Sequence, residues 1–163
     1  MSSDAPLRPI RYRHTQRAGL LQFLLTGIVV LALLFLIVAT PAGSLRDPVA
    51  LAVLIPVLAV LAIVLVLFSS LTVEVDDEAL RIAFGPGLVR HAWPLDRVRS
   101  WRVVRNPWWY GWGIHRVPGG WLYSVAGFEA VEVVLADGRR RRIGTDDPSG
   151  LAAALAAARP RWI

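Results

Sequence analysis

The chain carries AGLLQFLLTGIVVLALLFLIVA at Ala18–Ala39 and VALAVLIPVLAVLAIVLVLFSS at Val49–Ser70, two apolar stretches without a charged residue. At about 1.5 Å of rise per residue, each stretch would form a helix about 30 Å long. That length matches the hydrocarbon core of a bilayer. The sequence therefore predicts two transmembrane helices, 18–39 and 49–70, which together form a membrane helical hairpin.

The segments around these stretches predict an orientation. Residues 1–17 form a basic N-terminal tail, whereas the linker Thr40–Pro48 has one arginine, Arg46, followed directly by Asp47. The positive-inside rule then places the N-terminus and the C-terminal domain in the cytoplasm and the short linker outside it. We expect a multi-pass protein of the inner (cytoplasmic) membrane. A cleaved secretory signal is disfavoured, because the first apolar region is longer than usual and a second one follows it.

The composition excludes several kinds of chemistry. The chain of 163 residues has no cysteine and no lysine. Thiolate nucleophiles, cysteine-ligated metals, Schiff bases and lysine-containing phosphate loops are therefore ruled out. The three histidines, His14, His91 and His115, are far apart in the sequence and show no metal-ligand spacing. We expect a non-enzymatic protein with no cofactor, no metal site and no nucleic-acid partner.

From Leu71 onward the sequence changes to short runs typical of β-strands. Seven runs are predicted as strands: Leu71–Val75, Ala79–Phe84, Leu88–Trp93, Trp101–Arg105, Trp121–Val125, Ala130–Leu135 and Arg139–Gly144. The acidic run Asp76–Glu78 is interpreted as a turn between the first two strands rather than a cation site. The segment between Arg105 and Trp121 is predicted to be a loop rich in glycine and tryptophan.

Two local features near the C-terminus can be predicted in more detail. If the hairpin loop has three residues with Gly138 in the left-handed conformation, Val131, Val133 and Leu135 share one face with Ile143. A two-residue turn would instead place Arg140 and Arg142 on that face, so the three-residue loop is preferred, although the sequence alone leaves the register open. A helix is expected to begin after Asp147, with Pro148 as its first residue and with Leu151 and Leu155 on its buried side.

Seven antiparallel strands followed by a helix is the element order of a pleckstrin-homology (PH) fold. The chain resembles small bacterial membrane proteins that carry a PH-like domain behind a helical hairpin. Three segments carry this resemblance: Pro107–Ile114, Gly120–Tyr123 and Gly138–Asp146. The resemblance implies an α+β domain over residues 71–163, a seven-stranded antiparallel β-barrel capped by the C-terminal helix. It implies no particular activity, since PH-like domains of bacteria often mediate assembly.

A cluster of aromatic residues is the most unusual local feature of this domain. Trp108, Trp109, Tyr110 and Trp112 lie within five residues of one another. They are candidates for filling the core, for contact with the membrane interface or for contact with a protein partner. Two adjacent tryptophans in an extended segment cannot both face inward, so we expect at least one to be exposed.

Arginines form the second part of the predicted contact surface. The candidates are Arg102, Arg105, Arg139, Arg140, Arg141 and Arg142. A solvated strand face is the ordinary interpretation of such charges, but guanidinium groups near an anionic leaflet also bind lipid phosphates. We therefore predict a membrane-anchored domain that binds the inner-leaflet lipid surface. The alternatives are a scaffold or assembly module, a homo-oligomer, or an accessory subunit of a transporter or enzyme.

Overall fold

The computed structural model describes residues 10–39 and 48–158, so most of the predicted linker Thr40–Pro48 lies outside the described residues. The strands are β1 (Tyr12–Arg17), β2 (Ser70–Val75), β3 (Ala79–Phe84), β4 (Val89–Pro94), β5 (Val98–Arg105), β6 (Gly113–Val117), β7 (Gly120–Ser124), β8 (Glu129–Leu135) and β9 (Arg140–Gly144). The helices are α1 (Leu20–Ala39), α2 (Pro48–Leu67) and α3 (Pro148–Ala158).

The first sheet contains β1 to β4 in chain order, all antiparallel. Its edge strand, β1, was not expected, because residues 1–17 were predicted to be a basic tail outside the domain. In β1 the exposed arginines alternate with the inward residues Tyr12, His14 and Gln16. Ion pairs from Arg11 to Asp77 and from Arg13 to Glu74 fix the charged side of this strand. Part of the predicted tail is therefore an integral strand of the domain.

The two long helices are inserted between two paired strands. Arg17 at the end of β1 lies opposite Ser70 at the start of β2, and the amide of Ala18 donates to the carbonyl of Ser69 at 2.8 Å. The helices therefore leave the first sheet and return to it at the same end. Their positions agree with the two predicted apolar segments to within three residues.

The predicted membrane role of these helices is not supported. Within the residues that the structure describes, no helix combines the length and apolar character required to cross a membrane. This finding contradicts the predicted transmembrane hairpin. It equally contradicts the multi-pass placement in the inner membrane, with its cytoplasmic N-terminus and C-terminal domain.

The second sheet has the order β5-β8-β9-β7-β6. Its strands pair antiparallel except β7 and β9, which run parallel, with Gly120 opposite Arg140 and Tyr123 opposite Ile143. The predicted seven-stranded antiparallel PH-like barrel is therefore wrong. The described residues form nine strands in two sheets. The two additional strands are β1, which lies in the predicted basic tail, and β6, which lies in the predicted loop before Trp121.

The core lies between the two sheets and α3. Apolar side chains from the inner face of each sheet fill it, together with one side of the helix. The fully buried members of this core are Leu71, Val75, Leu80, Phe84, Val131, Val133, Ile143 and Leu151. Each large apolar side chain buried in this way contributes about 1.5–3 kcal/mol to folding, so the core holds the two sheets together.

Two local predictions are confirmed. The hairpin between β8 and β9 has a three-residue loop, closed by a hydrogen bond from the amide of Leu135 to the carbonyl of Arg139 at 2.9 Å, and Gly138 has a φ of 78°. Val131 consequently lies opposite Ile143 in the core. At the start of α3 the carboxylate of Asp147 accepts a hydrogen bond from the amide of Gly150 at 2.9 Å, which is the expected N-cap.

Candidate functional site

The Trp108–Tyr110 segment forms a single 3-10 turn that projects from the second sheet. Pro107 in an extended conformation precedes the turn and Gly111, with a φ of 64°, ends it. The side chain of Trp108 is 73% exposed and that of Trp109 is 67% exposed, so both indoles face solvent. Their rings are edge-to-face, with centroids 6.0 Å apart. The expectation that at least one of these tryptophans is exposed is confirmed.

The turn is held against the outer face of the second sheet by its third residue. The ring of Tyr110 lies 5.7 Å from the guanidinium carbon of Arg142, a cation–π arrangement. Arg142 also donates to the side-chain oxygen of Asn106 at 3.2 Å. The backbone amide of Asn106 donates to the backbone carbonyl of Phe128 at 2.7 Å. Tyr110 and Asn106 thus attach the turn while Trp108 and Trp109 remain outside.

Below the turn lies a buried carboxylate that sequence reasoning missed. Glu132, in the middle of β8, is only 1% exposed. Arg102 donates to its Oε1 from Nε at 2.9 Å and from Nη2 at 2.7 Å, and Arg142 donates to its Oε2 at 2.8 Å. The three side chains occupy directly opposed positions on β5, β8 and β9. Glu132 therefore joins three strands on the outer face of the sheet.

The ionisation of Glu132 depends on these arginines. Burial by itself raises the pKa of a carboxyl group, because it removes water from the charged form. Hydrogen bonds and the positive charges of Arg142 and Arg102 outweigh that effect and hold the pKa of Glu132 below its ordinary value of 4.5. Glu132 is therefore a structural anion at neutral pH rather than a general acid or base.

Trp112 serves mainly to fix the neighbouring loop. Its Nε1 donates to the carbonyl of Gly127 at 3.0 Å, and its ring stacks on Phe128 with centroids 6.5 Å apart. The loop that it contacts also approaches Gly19, next to α1, through Ala126. The half-buried Trp112 is therefore part of the connection between the second sheet and the base of the helices.

The predicted arginines do not form one surface. Arg102 and Arg142 belong to the Glu132 cluster, and Arg105 is exposed at the end of β5 just before the turn. Arg139, Arg140 and Arg141 instead lie near the turn between β6 and β7. Arg140 also lies 3.9 Å from Glu132, so the arginine run of β9 extends from the Glu132 cluster to the turn between β6 and β7.

The long helices add an apolar surface at the same end as the aromatic turn. Large side chains on both helices are exposed, among them Phe23, Ile28, Phe35, Ile55 and Ile63. The base of the helices adjoins Trp112 and β6, since Gln22, Val64, Phe68, Trp112 and Ile114 line one common depression. Exposed apolar surface of this kind marks sites of contact with another apolar surface.

Two groups of acidic residues outside this region have structural partners. Asp76 accepts hydrogen bonds from the amides of Glu78 and Ala79 and pairs with Arg81, which confirms the turn interpretation of the acidic run. His14 lies 2.5 Å from a carboxylate oxygen of Asp146. Among the described residues, no three His, Asp or Glu side chains are grouped so that they could hold a metal ion.

Comparison with known proteins adds no relative. The chain matches no family model, no curated protein and no solved structure. The resemblance to small bacterial membrane proteins with a PH-like domain therefore stays a prediction. What bears on function is the arrangement of the side chains described above.

Proposed function

We propose that this protein is a non-enzymatic binding module that contacts an anionic lipid surface through Trp108 and Trp109. The observation that carries the proposal is the simultaneous exposure of these two adjacent indoles on one short turn. A folded domain rarely leaves two neighbouring tryptophans in water without a function for them. Indole is apolar with one polar N–H, a combination that favours the interfacial zone of a bilayer.

The charges around the turn support an anionic partner. Arg105 is exposed beside it, and the side chain of Arg102 is 62% exposed although two of its nitrogens bind Glu132. Each arginine close to an anionic lipid surface contributes about 1 kcal/mol of attraction, which salt screens. The Glu132 cluster keeps Arg102 in a fixed position near the turn, so this part of the surface needs little ordering when it binds.

The exposed apolar side chains of α1 and α2 favour a second candidate, an assembly module that contacts another protein. Small residues such as Gly27, Ala52, Ala59 and Ala62 would allow a partner helix to approach closely. Open space surrounds the Cα of Gly27, since a Cβ at this position would meet no atom within 4 Å in the described structure. The lipid proposal is preferred because exposed arginines adjoin the aromatic turn.

Vesicle co-sedimentation of the full chain tests the lipid proposal. The double variant Trp108→Ala/Trp109→Ala is compared with Leu88→Ala, which removes an apolar residue that is 69% exposed in the turn between β3 and β4. Binding to vesicles of phosphatidylcholine and phosphatidylglycerol should weaken about tenfold or more in the double variant, because burying one large apolar side chain is worth about 1.5–3 kcal/mol.

Three outcomes separate the candidates. The lipid proposal is supported if the double variant binds vesicles more weakly while Leu88→Ala binds them as the parent does, and if high salt weakens vesicle binding by the parent. Equal binding of parent, double variant and Leu88→Ala contradicts it. Loss of self-association or of a co-purifying protein in the double variant, with no change in vesicle binding, favours the assembly candidate instead.

A further inference from the structure

A second basic region lies at the other end of the second sheet. It is an open cleft of about 510 Å³ between the β6–β7 turn and the start of β9. Arg116, Trp121, Arg139, Arg140 and Arg141 are the large side chains that line it. The cleft plays no part in the lipid contact proposed above, because it lies at the end of β6 away from Trp112.

The cleft depends on two consecutive glycines. Gly119 has a φ of 89°, a left-handed conformation that a residue with a Cβ rarely adopts. A Cβ on Gly120 would overlap the carbonyl oxygen of Arg140, so this position needs glycine for β7 to pair with β9. The unusual parallel pairing of these strands brings Arg116 and Trp121 next to the arginine run of β9.

The charges in the cleft are only partly balanced. Arg139 pairs with Asp137 at 3.5 Å, and Arg140 lies 3.9 Å from Glu132, which already binds two other arginines. The residues that line the cleft in the described part of the chain include four arginines and no carboxylate. This imbalance gives the cleft a positive potential, which attracts anions.

Contacts within the cleft fix the positions of two of its arginines, Arg116 and Arg141. Arg116 lies over the ring of Trp121 at 5.7 Å, which fixes the guanidinium plane at the wall of the cleft. Arg141 donates from Nη1 to the carbonyl of Arg140 at 3.0 Å. Its Nε is buried and meets no acceptor within the described residues. A buried donor without an acceptor is costly, so Arg141 retains hydrogen-bonding capacity that the described fold does not use.

We propose that this cleft binds a phosphate-bearing anion, with Arg116 and Arg141 as the principal ligands. Guanidinium groups bind phosphate oxygens in bidentate fashion, and several arginines around one cleft suit a multiply charged group. Such a phosphate occurs free in solution or on a lipid headgroup, and the chemistry of recognition is the same for both. The proposal is independent of the lipid contact made by Trp108 and Trp109.

Titration calorimetry tests this proposal with two probes: inorganic pyrophosphate, and vesicles that contain phosphatidic acid. The vesicle titrations use a full-length parent that carries Trp108→Ala/Trp109→Ala, so that the other proposed lipid contact does not contribute. The variants Arg116→Gln and Arg141→Gln each remove one proposed ligand. Arg90→Gln is the matched control, since Arg90 is an exposed arginine of the first sheet. We expect saturable binding in the parent and in Arg90→Gln. In both cleft variants it should weaken about tenfold or more, since a charge-assisted hydrogen bond contributes about 1.5–3 kcal/mol.

The two probes distinguish the source of the phosphate. Pyrophosphate binding that depends on Arg116 and Arg141 supports a cleft for a free phosphate. Binding to vesicles alone, with the same dependence, supports a lipid headgroup. The proposal is wrong if neither probe saturates, or if Arg90→Gln weakens binding as much as Arg116→Gln does. Because Arg116 is exposed, its variant should fold even if Arg141→Gln does not.

Discussion

The two ends of the second sheet use arginine in opposite ways. At one end, Arg102 and Arg142 surround the buried carboxylate of Glu132 and support the aromatic turn. Near the β6–β7 turn, Arg116 and Arg141 line an open cleft whose described lining has no carboxylate, and Arg140, 3.9 Å from Glu132, lies between the two groups. The comparison indicates that arginines in contact with Glu132 stabilise the fold, whereas we propose that those beyond its reach are available to a ligand.

Replacing Glu132 should have the largest effect on the free energy of unfolding, and it tests directly whether the carboxylate makes the two groups of arginines different. Glu132→Gln removes the buried negative charge and leaves Arg102 and Arg142 without their counterion. Breaking a buried ion pair by removing one partner costs about 3–5 kcal/mol, so we expect a loss near the lower bound because Arg102 is largely exposed. Urea denaturation measures this change. A loss no greater than that of Arg90→Gln would show that the cluster does not stabilise the fold.

Replacing Gly120, which lines the cleft, should have the next largest effect on stability. Gly120→Ala forces apart β7 and β9, because the new Cβ overlaps the carbonyl of Arg140. Overpacking of this kind costs about 1–3 kcal/mol. Thermal denaturation checks the loss, with Gly27→Ala as the control because a Cβ there meets nothing within 4 Å. Equal melting temperatures for the two variants would contradict the close approach of these strands.

Lowering the pH should reduce the stability of the fold, because Glu132 becomes protonated. The pKa of Glu132 is lower in the folded state than its ordinary value of 4.5. The unfolded chain therefore binds the proton first, so the stabilisation present above pH 4.5 is lost as the pH falls toward the folded pKa. Denaturation at several pH values should show a smaller acid loss in Glu132→Gln than in the parent. Some loss remains in that variant, because backbone hydrogen bonding to Gly150 also lowers the pKa of Asp147.

The smallest effect on stability is expected at the exposed turn itself. Trp108→Ala/Trp109→Ala removes two largely exposed side chains, and substitutions at such positions usually change stability by no more than about 0.5 kcal/mol each. The free energy of unfolding should therefore stay close to that of the parent while vesicle binding falls. A large loss of stability would indicate that the indoles serve the fold instead of a partner.

Sequence patterns were sufficient for features set by local chemistry. Short runs typical of β-strands indicated seven of the strands, Asp147 and Pro148 marked the start of α3, and Asp137-Gly138 marked the last hairpin, whose register followed only from a preference for the three-residue loop. The two long helices were found from their lack of charge. Their predicted role in crossing a membrane was contradicted, since that role was inferred from length and composition alone.

The features that sequence reasoning missed depend on tertiary contacts. The strand β1 is polar, and its strand pattern is the alternation of Tyr12, His14 and Gln16 with the exposed residues Arg13, Thr15 and Arg17. Its pairing with β2 is a tertiary contact. The glycine-rich surroundings of β6 hid that strand. Glu132 occupies an outward position in its strand, where Arg102 and Arg142 from the two neighbouring strands surround its carboxylate.

Lipid contact by the aromatic turn is the central claim, and a single-site label tests it most directly. The chain has no cysteine, so Trp108→Cys and Leu88→Cys each provide one site for a polarity-sensitive fluorophore. Upon addition of vesicles containing phosphatidylglycerol, the emission of the label at position 108 should shift to the blue, and high salt should reduce that shift. The label at position 88 should not respond. Equal responses at the two positions, or no response at position 108 at low salt, would contradict the account.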